Sequence, residues 1–483
     1  MKKIKILISL SALVFFNIYV FSSFSRVASM GIEFWMLEDD DTLIWFNPYE
    51  IIKYSNHVWV ELGKAQGSSA APNVNNNLNI TDIWGGVSFY IRKNSALAAF
   101  FGRPYWGLLN YSGTRINGSD VQAIPDSPIN TSMLPLPLNN KLDIFYAGEI
   151  FKIPIGFSAF IASNSQKQYS EDFSKPDLQN GDSKYSQTLV SRELWLMFGT
   201  KLSKILFFDY LDIVLNIGLH NVNNLYEDEV YNGTEFLKNN EYSFYTTGNG
   251  SIELSLRFIN KLNKVSIVSL FDYYLTNLSN EFIRKTDDNM DGNLLFSDGD
   301  VYYKISQDYI YSLLTLGTAT NINLSSKFLW IFGFNMKFNH ISVNEKRESL
   351  LSDRKGTNQE YSSNILNLNI PLYIALEYKL SKFFTLYSGI KKTIYNISFS
   401  KITDPDYGGW NGSTFPLNGK DVYEISTDDS DTQADFSFGI RVSVLENIFL
   451  DAVLRENVLF TGTYLLSGVP ETLSSQISLV YRF

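Results

Sequence analysis

The chain has 483 residues, of which 45% are apolar, 15% aromatic and 19% charged, and it contains no cysteine. This composition excludes a disordered acidic tail, a coiled coil, a disulfide-built domain, a thiolate metal centre and a cysteine nucleophile. The 40 basic and 50 acidic residues give a net charge of −10, which argues against a nucleic-acid partner.

The first segment addresses the chain. Lys2, Lys3 and Lys5 form a basic start, and Ile6 to Phe21 is almost wholly apolar. A Ser-rich stretch follows, with the small residues Val27-Ala28-Ser29 at its end. The pattern is that of a secretory signal peptide over residues 1–29, with a retained anchor helix as the alternative. Residues 30–56 then form an N-terminal segment, either periplasmic or folded into a lumen, ahead of residues 57–483.

From His57 onward no stretch offers the roughly 20 apolar residues that a spanning helix needs. What recurs is alternation with period two. Ile252, Leu254, Leu256 and Phe258 alternate with Glu253, Ser255 and Arg257. Phe328 to Phe338 and Leu366 to Leu376 repeat the pattern over ten residues or more. Phe436, Phe438, Ile440, Val442 and Val444 alternate with Ser437, Gly439, Arg441 and Ser443. Strands of a soluble sandwich usually run about 5–6 residues. Longer strands with one large apolar face and one small or polar face fit a barrel with lipid outside and water inside. Lipid admits only helices and closed barrels, because an open sheet edge leaves backbone groups unpaired.

Short turns are expected near Arg92–Ser95, Phe151–Pro154, Lys201–Lys204, Lys261–Lys264, Asn323–Ser326, Lys379–Lys382 and Val444–Asn447. Long polar segments alternate with them, near 65–81, 104–141, 164–187, 221–241, 280–301, 344–361, 400–431 and 462–473. The predicted fold is therefore all-β: a transmembrane, antiparallel, up-and-down β-barrel of about 16 strands, with 14 as the second count. Its turns are short on the periplasmic side and its loops long on the outside.

The last strand ends Tyr481-Arg482-Phe483, with Ile477 and Leu479 in register. In this the chain resembles Gram-negative outer-membrane β-barrel proteins. The resemblance implies that Ile477, Leu479, Tyr481 and Phe483 are read by the barrel-assembly machinery, and that the chain resides in outer-membrane lipid. Near the start, Asp40-Asp41-Thr42-Leu43-Ile44-Trp45-Phe46-Asn47-Pro48-Tyr49 is similar to the Asn-Pro-Ala region of FadL-type hydrophobic-compound transporters. Asn47 and Pro48 match, and Tyr49 replaces Ala. That resemblance implies a hatch carrying Asn47 and Pro48 inside a 14-stranded barrel; the plain alternative is a turn before the first strand.

Charges expected on the lumen face are Glu253, Arg257, Lys337, Glu377, Lys391, Arg441, Asp451, Arg455 and Arg482. They imply either an anion-selective patch or a paired network, with Asp451 bridging arginines. Phe207, Phe208, Phe328, Trp330, Phe383, Phe384, Phe449 and Phe483 read as an aromatic girdle near the short turns. In one external loop, Asp287, Asn289, Asp291, the Asn293 carbonyl and Asp298 have calcium-loop spacing around Gly292, although Asp298 stands where Glu is usual. No cofactor is required otherwise. With only His57, His220 and His340 and no local Ser-His motif, an enzyme is not expected. The functions left are a solute channel, FadL-type uptake of hydrophobic compounds, or a surface adhesin or structural barrel.

Overall fold

The computed structural model describes residues 24–63, 83–92, 94–102, 140–172, 183–205, 207–231, 236–286, 301–351, 358–403, 422–427, 434–445, 447–454 and 474–483. The N-terminal part is one short helix, α1 (Phe24–Met30), and three 3₁₀ turns at Phe34–Met36, Asp41–Trp45 and Pro48–Ile52. The strands are β1 (His57–Gly63), β2 (Ile83–Arg92), β3 (Ser95–Phe101), β4 (Asn140–Ile150), β5 (Ile153–Asp172) and β6 (Ser183–Ile205). They continue as β7 (Phe208–Tyr231), β8 (Phe236–Leu262), β9 (Val265–Thr286), β10 (Val301–Ser325), β11 (Phe328–Ser349) and β12 (Asn358–Lys379). The last are β13 (Phe384–Thr403), β14 (Val422–Thr427), β15 (Asp435–Leu445), β16 (Ile448–Leu454) and β17 (Ser474–Arg482).

Every described neighbouring pair is antiparallel, and β1 pairs with both β2 and β17, which closes the sheet. β14 and β15 both pair with β13, at Ile397–Ile402 and Phe384–Lys391, so together they fill one position in the wall. Seventeen segments thus make a closed barrel of sixteen positions, the larger of the two expected counts. Closure leaves no unpaired sheet edge facing lipid.

Alternation sorts the faces. On β8, Ser251, Glu253, Ser255 and Arg257 are buried, while Ile252 and Leu254 are exposed on the outer surface. On β12, Tyr373, Ala375 and Glu377 point inward while Leu372 and Ile374 point outward. β15 sends Phe436 outward and buries Arg441. Ile440→Arg should therefore destabilise the barrel by about 2–4 kcal/mol, since it puts a charge on the lipid face. Ser443→Arg, on the lumen face, should cost much less. Heat-modifiable gel mobility of the two variants checks this, and equal effects would overturn the register.

Two expectations need correction. Strands β5 to β13 run 20–27 residues, so much of what reads as loop in the sequence is ladder. Polar residues on both faces look like loop chemistry, but a hairpin in water needs no apolar face to keep its backbone bonds. A spanning strand uses about 9–11 residues; β8, at roughly 3.3 Å per residue, runs about 90 Å and rises well past the bilayer. The second correction is Phe449. It is buried and faces the lumen, with the Arg441 guanidinium 5.7 Å from its ring centre, so it is not part of a lipid-facing girdle. It shares a face with Asp451 two residues on, and the period-two rule places both inside. Phe207, Trp330, Phe383, Phe384 and Phe483 are exposed at the short-turn end as expected.

Candidate functional site

Residues 24–56 fill the lumen at the short-turn end. Two apolar clusters hold them. Val27, Met30, Ile32, Trp35, Met36, Leu37 and Phe46 pack on wall residues that include Val214, Val268, Ala319, Ile331 and Tyr373. Ile44, Trp45, Ile51 and Tyr54 pack against the first strands. There Trp45 sits edge-on to Trp84, Phe100 and Phe145, with centroids 5.9, 4.8 and 5.1 Å away. Edge-to-face contacts of this kind add to the gain from burial.

Polar clamps fix the segment between these clusters. Asn47 is buried; its side-chain oxygen accepts from the Tyr49 N–H at 3.1 Å and caps the turn that Pro48 opens. Its amide donates to the Thr200 carbonyl and to Asp212 Oδ1, at 3.1 and 3.0 Å. The wall makes room for it at Gly199, where a Cβ would stand 2.2 Å from Asn47 Oδ1. Arg257 is fully buried and joins wall to segment. It donates to Asp212 Oδ2 at 2.9 Å and to the carbonyls of Trp35 at 2.9 Å, Leu37, and Glu38 at 3.2 Å. Glu33 accepts from Lys337 Nζ at 2.7 Å, Tyr373 Oη at 2.9 Å and Trp35 Nε1 at 2.8 Å. Trp59 donates to Asp41 at 2.9 Å, and Asn321 to the Met36 carbonyl at 2.8 Å.

The charges expected on the lumen face can now be placed. Arg257, Lys337 and Glu377 each contact the N-terminal segment. Arg441 and Asp451 form a two-bond pair at 2.6 and 2.7 Å, and Lys391 lies 3.6 Å from Asp435. Glu253 accepts from Asn216 at 3.1 Å. Arg482 lies on the inward face of β17 with Ser478 and Val480. Arg257, Lys337, Lys391, Arg441 and Glu377 are thus each paired with an opposite charge around an internal plug, while Glu253 is bonded to an amide. Arg455 and the calcium-spaced residues Asp287, Asn289, Asp291, Asn293 and Asp298 lie outside the described residues. Ile477, Leu479, Tyr481 and Phe483 are on the outer face of the closing strand, with the Tyr481 and Phe483 rings 6.4 Å apart.

Above the plug the inward faces carry two apolar clusters. Phe160, Trp195, Tyr274, Leu278, Tyr311, Ile341 and Val343 form a buried cluster from several strands. A further cluster, Phe244, Phe282, Tyr303 and Ile305, lies toward the long-loop end. Buried polar residues share these inward faces, among them Asn216, Glu253, Asn280, Thr315 and Glu345, and one array of three stands out. His220 Nε2 is 2.9 Å from Ser251 Oγ, and His220 Nδ1 is 3.3 Å from Glu193 Oε1. Ser251 also donates to Thr276 at 2.7 Å and accepts from Tyr274 at 3.3 Å. The reach of a base to a nucleophile is present, but the Ser251 proton is engaged elsewhere and the hydroxyl is buried. As it stands the array is a hydrogen-bonded polar anchor beside the apolar cluster. The sequence hides it because its three members are 27 and 31 residues apart, on β6, β7 and β8.

The plug clamps respond to pH. Burial pushes the Glu33 carboxyl up, but Lys337 and the hydrogen bonds at its oxygens outweigh that and leave it below its ordinary 4.5. Asp39 is likewise held below 3.8, with burial overcome by Lys53 and Tyr54. Both therefore contribute to seating that is fully present above the ordinary values and is lost as pH falls through the lowered ones. Asp41 has the opposite sign: burial and the adjacent Asp40 raise it. Its contribution is present in acid and is lost as pH rises. Protease access to the plug should thus increase as pH falls below the ordinary carboxylate values of 4.5 and 3.8. Glu33→Gln should flatten that change; a parent profile without the change would overturn the assignment.

No protein-family model matches the chain, and no curated protein matches it either. Among solved structures it is similar to the toluene transporter TodX of Pseudomonas putida, at 10% identity and TM-score 0.33, over 96% of this chain and 98% of that one. It is also similar to the ferric yersiniabactin uptake receptor FyuA of Yersinia pestis, at 9% identity and TM-score 0.30, over 88% and 79%. A third similarity is to the outer membrane protease OmpT of Escherichia coli, at 10% and 0.24, over 68% and 96%. Scores this low assign no activity. The closure, register and outward apolar face of the chain itself make it an outer-membrane β-barrel of sixteen strands, with its N-terminal segment folded inside.

Proposed function

We propose that the barrel takes up small hydrophobic compounds through a lumen gated by its plug. The observation that carries this reading is the aromatic cluster of Phe160, Trp195, Tyr274 and Tyr311 above the plug. Sites for hydrophobic ligands are mostly apolar and aromatic with a few placed polar groups; the cluster gives a passing solute apolar surface, and His220, Ser251, Thr276, Asn280 and Glu345 are polar groups on the same inward faces. The other small-solute channel reading, a water-filled pore, draws on the polar residues of the wall but gives the aromatic cluster no use. The rise of the strands past the bilayer favours a second reading, a surface-exposed adhesin.

Trp195 supplies the test. Titrating the purified barrel with toluene or decanoate should quench tryptophan emission saturably, and Trp195→Phe should remove most of that change. Glucose should leave emission unchanged. Equal response to glucose, or none to the hydrophobic probes, would overturn the proposal. Liposomes carrying the barrel should then take up the same probe faster than empty ones, which an adhesin would not do.

A further inference from the structure

The boundary expected after Ser29 falls inside α1, and α1 is built into the lumen. The helix contacts β12, β13, β15, β16 and β17. Gly31 has φ +59°, its N–H donates to the Ala28 carbonyl at 3.1 Å, and the Ile32 N–H reaches the Val27 carbonyl at 3.5 Å. That is the glycine-ended helix stop in which orphan carbonyls are satisfied. Ser29 Oγ donates to the Ser25 carbonyl at 2.6 Å.

The wall fits this helix closely. A Cβ at Gly439 would stand 1.9 Å from Ser29 Oγ, and one at Gly389 would stand 1.7 Å from the Met30 carbonyl oxygen. Arg26 is the charge at the centre. Its Nη1 donates to Asp40 Oδ2 at 2.5 Å, and its Nε and Nη2 donate to Glu377 Oε2 at 2.9 and 2.6 Å. The Asp40 side chain is fully buried and that of Glu377 is one-tenth exposed. Cutting after Ser29 would remove Arg26 and leave both carboxylates without it. The cationic groups nearby are Lys379, 4.0 Å from Glu377, and Arg441, which is committed to Asp451. Taking one partner from a buried ion pair is strongly destabilising.

We propose that the leader is cut upstream of α1, between Ser22 and Ser23, and that Phe24–Met30 stays in the mature protein as the inner end of the plug, latched by Arg26. The sequence allows it: Ser22, one residue before the cut, is small, and Val20, three residues before it, is a short aliphatic side chain, close to the A-x-A pattern of leader cleavage sites. The reaction is hydrolysis by a leader peptidase. Water adds across the Ser22–Ser23 amide, leaving a carboxylate on the leader and an ammonium on Ser23. This inference holds whatever the solute is.

N-terminal sequencing and intact mass of the barrel extracted from outer membranes test it. The first residue should be Ser23; a start anywhere from Val27 onward overturns the proposal. The latch is read separately, on mature chains shown to begin before Arg26. Arg26→Ala should raise conductance or protease access to the plug, and Arg26→Lys should restore most of the closure. An Arg26→Ala barrel that conducts and resists protease like the parent overturns the latch. The sequencing result on the parent needs no variant to fold.

Discussion

Deleting residues 32–54 should raise single-channel conductance several-fold while the barrel still inserts and shifts on heating. The deletion removes the whole contents of the two apolar clusters between Ile32 and Tyr54, and with them the side chains that fill the lumen at the short-turn end. The wall keeps every strand-to-strand hydrogen bond, because the segment adds none to the ladder. The recordings belong in chloride salts, at matched protein density. Conductance equal to that of the parent would mean that the aromatic cluster above the plug, and not the plug, sets the resistance. Loss of heat-modifiable mobility would instead show that the wall needs the plug to close.

Arg257→Ala should have the second largest effect. The guanidinium joins β8, Asp212 on β7 and three carbonyls of the N-terminal segment. Its removal leaves Asp212 buried, still bonded to Asn47 but without its counter-charge. Breaking a buried pair from one side costs about 3–5 kcal/mol; that loss falls in the wall, between β7 and β8, and the three carbonyl bonds lost with it release the plug. Flickering conductance and faster proteolysis of the segment should follow. Arg257→Lys should rescue little, because a single ammonium cannot span the carboxylate and the carbonyls at once. A variant as quiet and as protease-resistant as the parent would remove Arg257 from the clamp.

Much of the wall is legible in the chain because lipid imposes a strict rule. Ile252 and Leu254 must face hydrocarbon, and Glu253 and Arg257 must not. The same rule extends to Phe436, Ile440 and Arg441, and it fixes strand faces without knowledge of partners. The rule lapses above the bilayer, where β8 carries polar residues on both faces and reads as loop. It is silent about the lumen as well. Nothing in Glu33 says that Lys337 and Tyr373, over 300 positions away, will meet it. Asn47 and Pro48 are visible through their turn chemistry, but Asp212 as the partner of Asn47 requires β7 to be placed. The Glu193, His220 and Ser251 array is invisible for the same reason: it exists only once three strands lie side by side.

The plug runs straight into β1 through Asn56, whose φ of +62° makes the turn from lumen to wall. It therefore behaves as a tethered ligand of its own barrel. Displacing it and reseating it are unimolecular steps, set by an effective concentration that a short connection keeps in the millimolar range. Reclosure should then be independent of how much barrel is in the membrane. It should also be insensitive to plug peptide added outside at micromolar concentration, which cannot compete with a segment held at its own doorway.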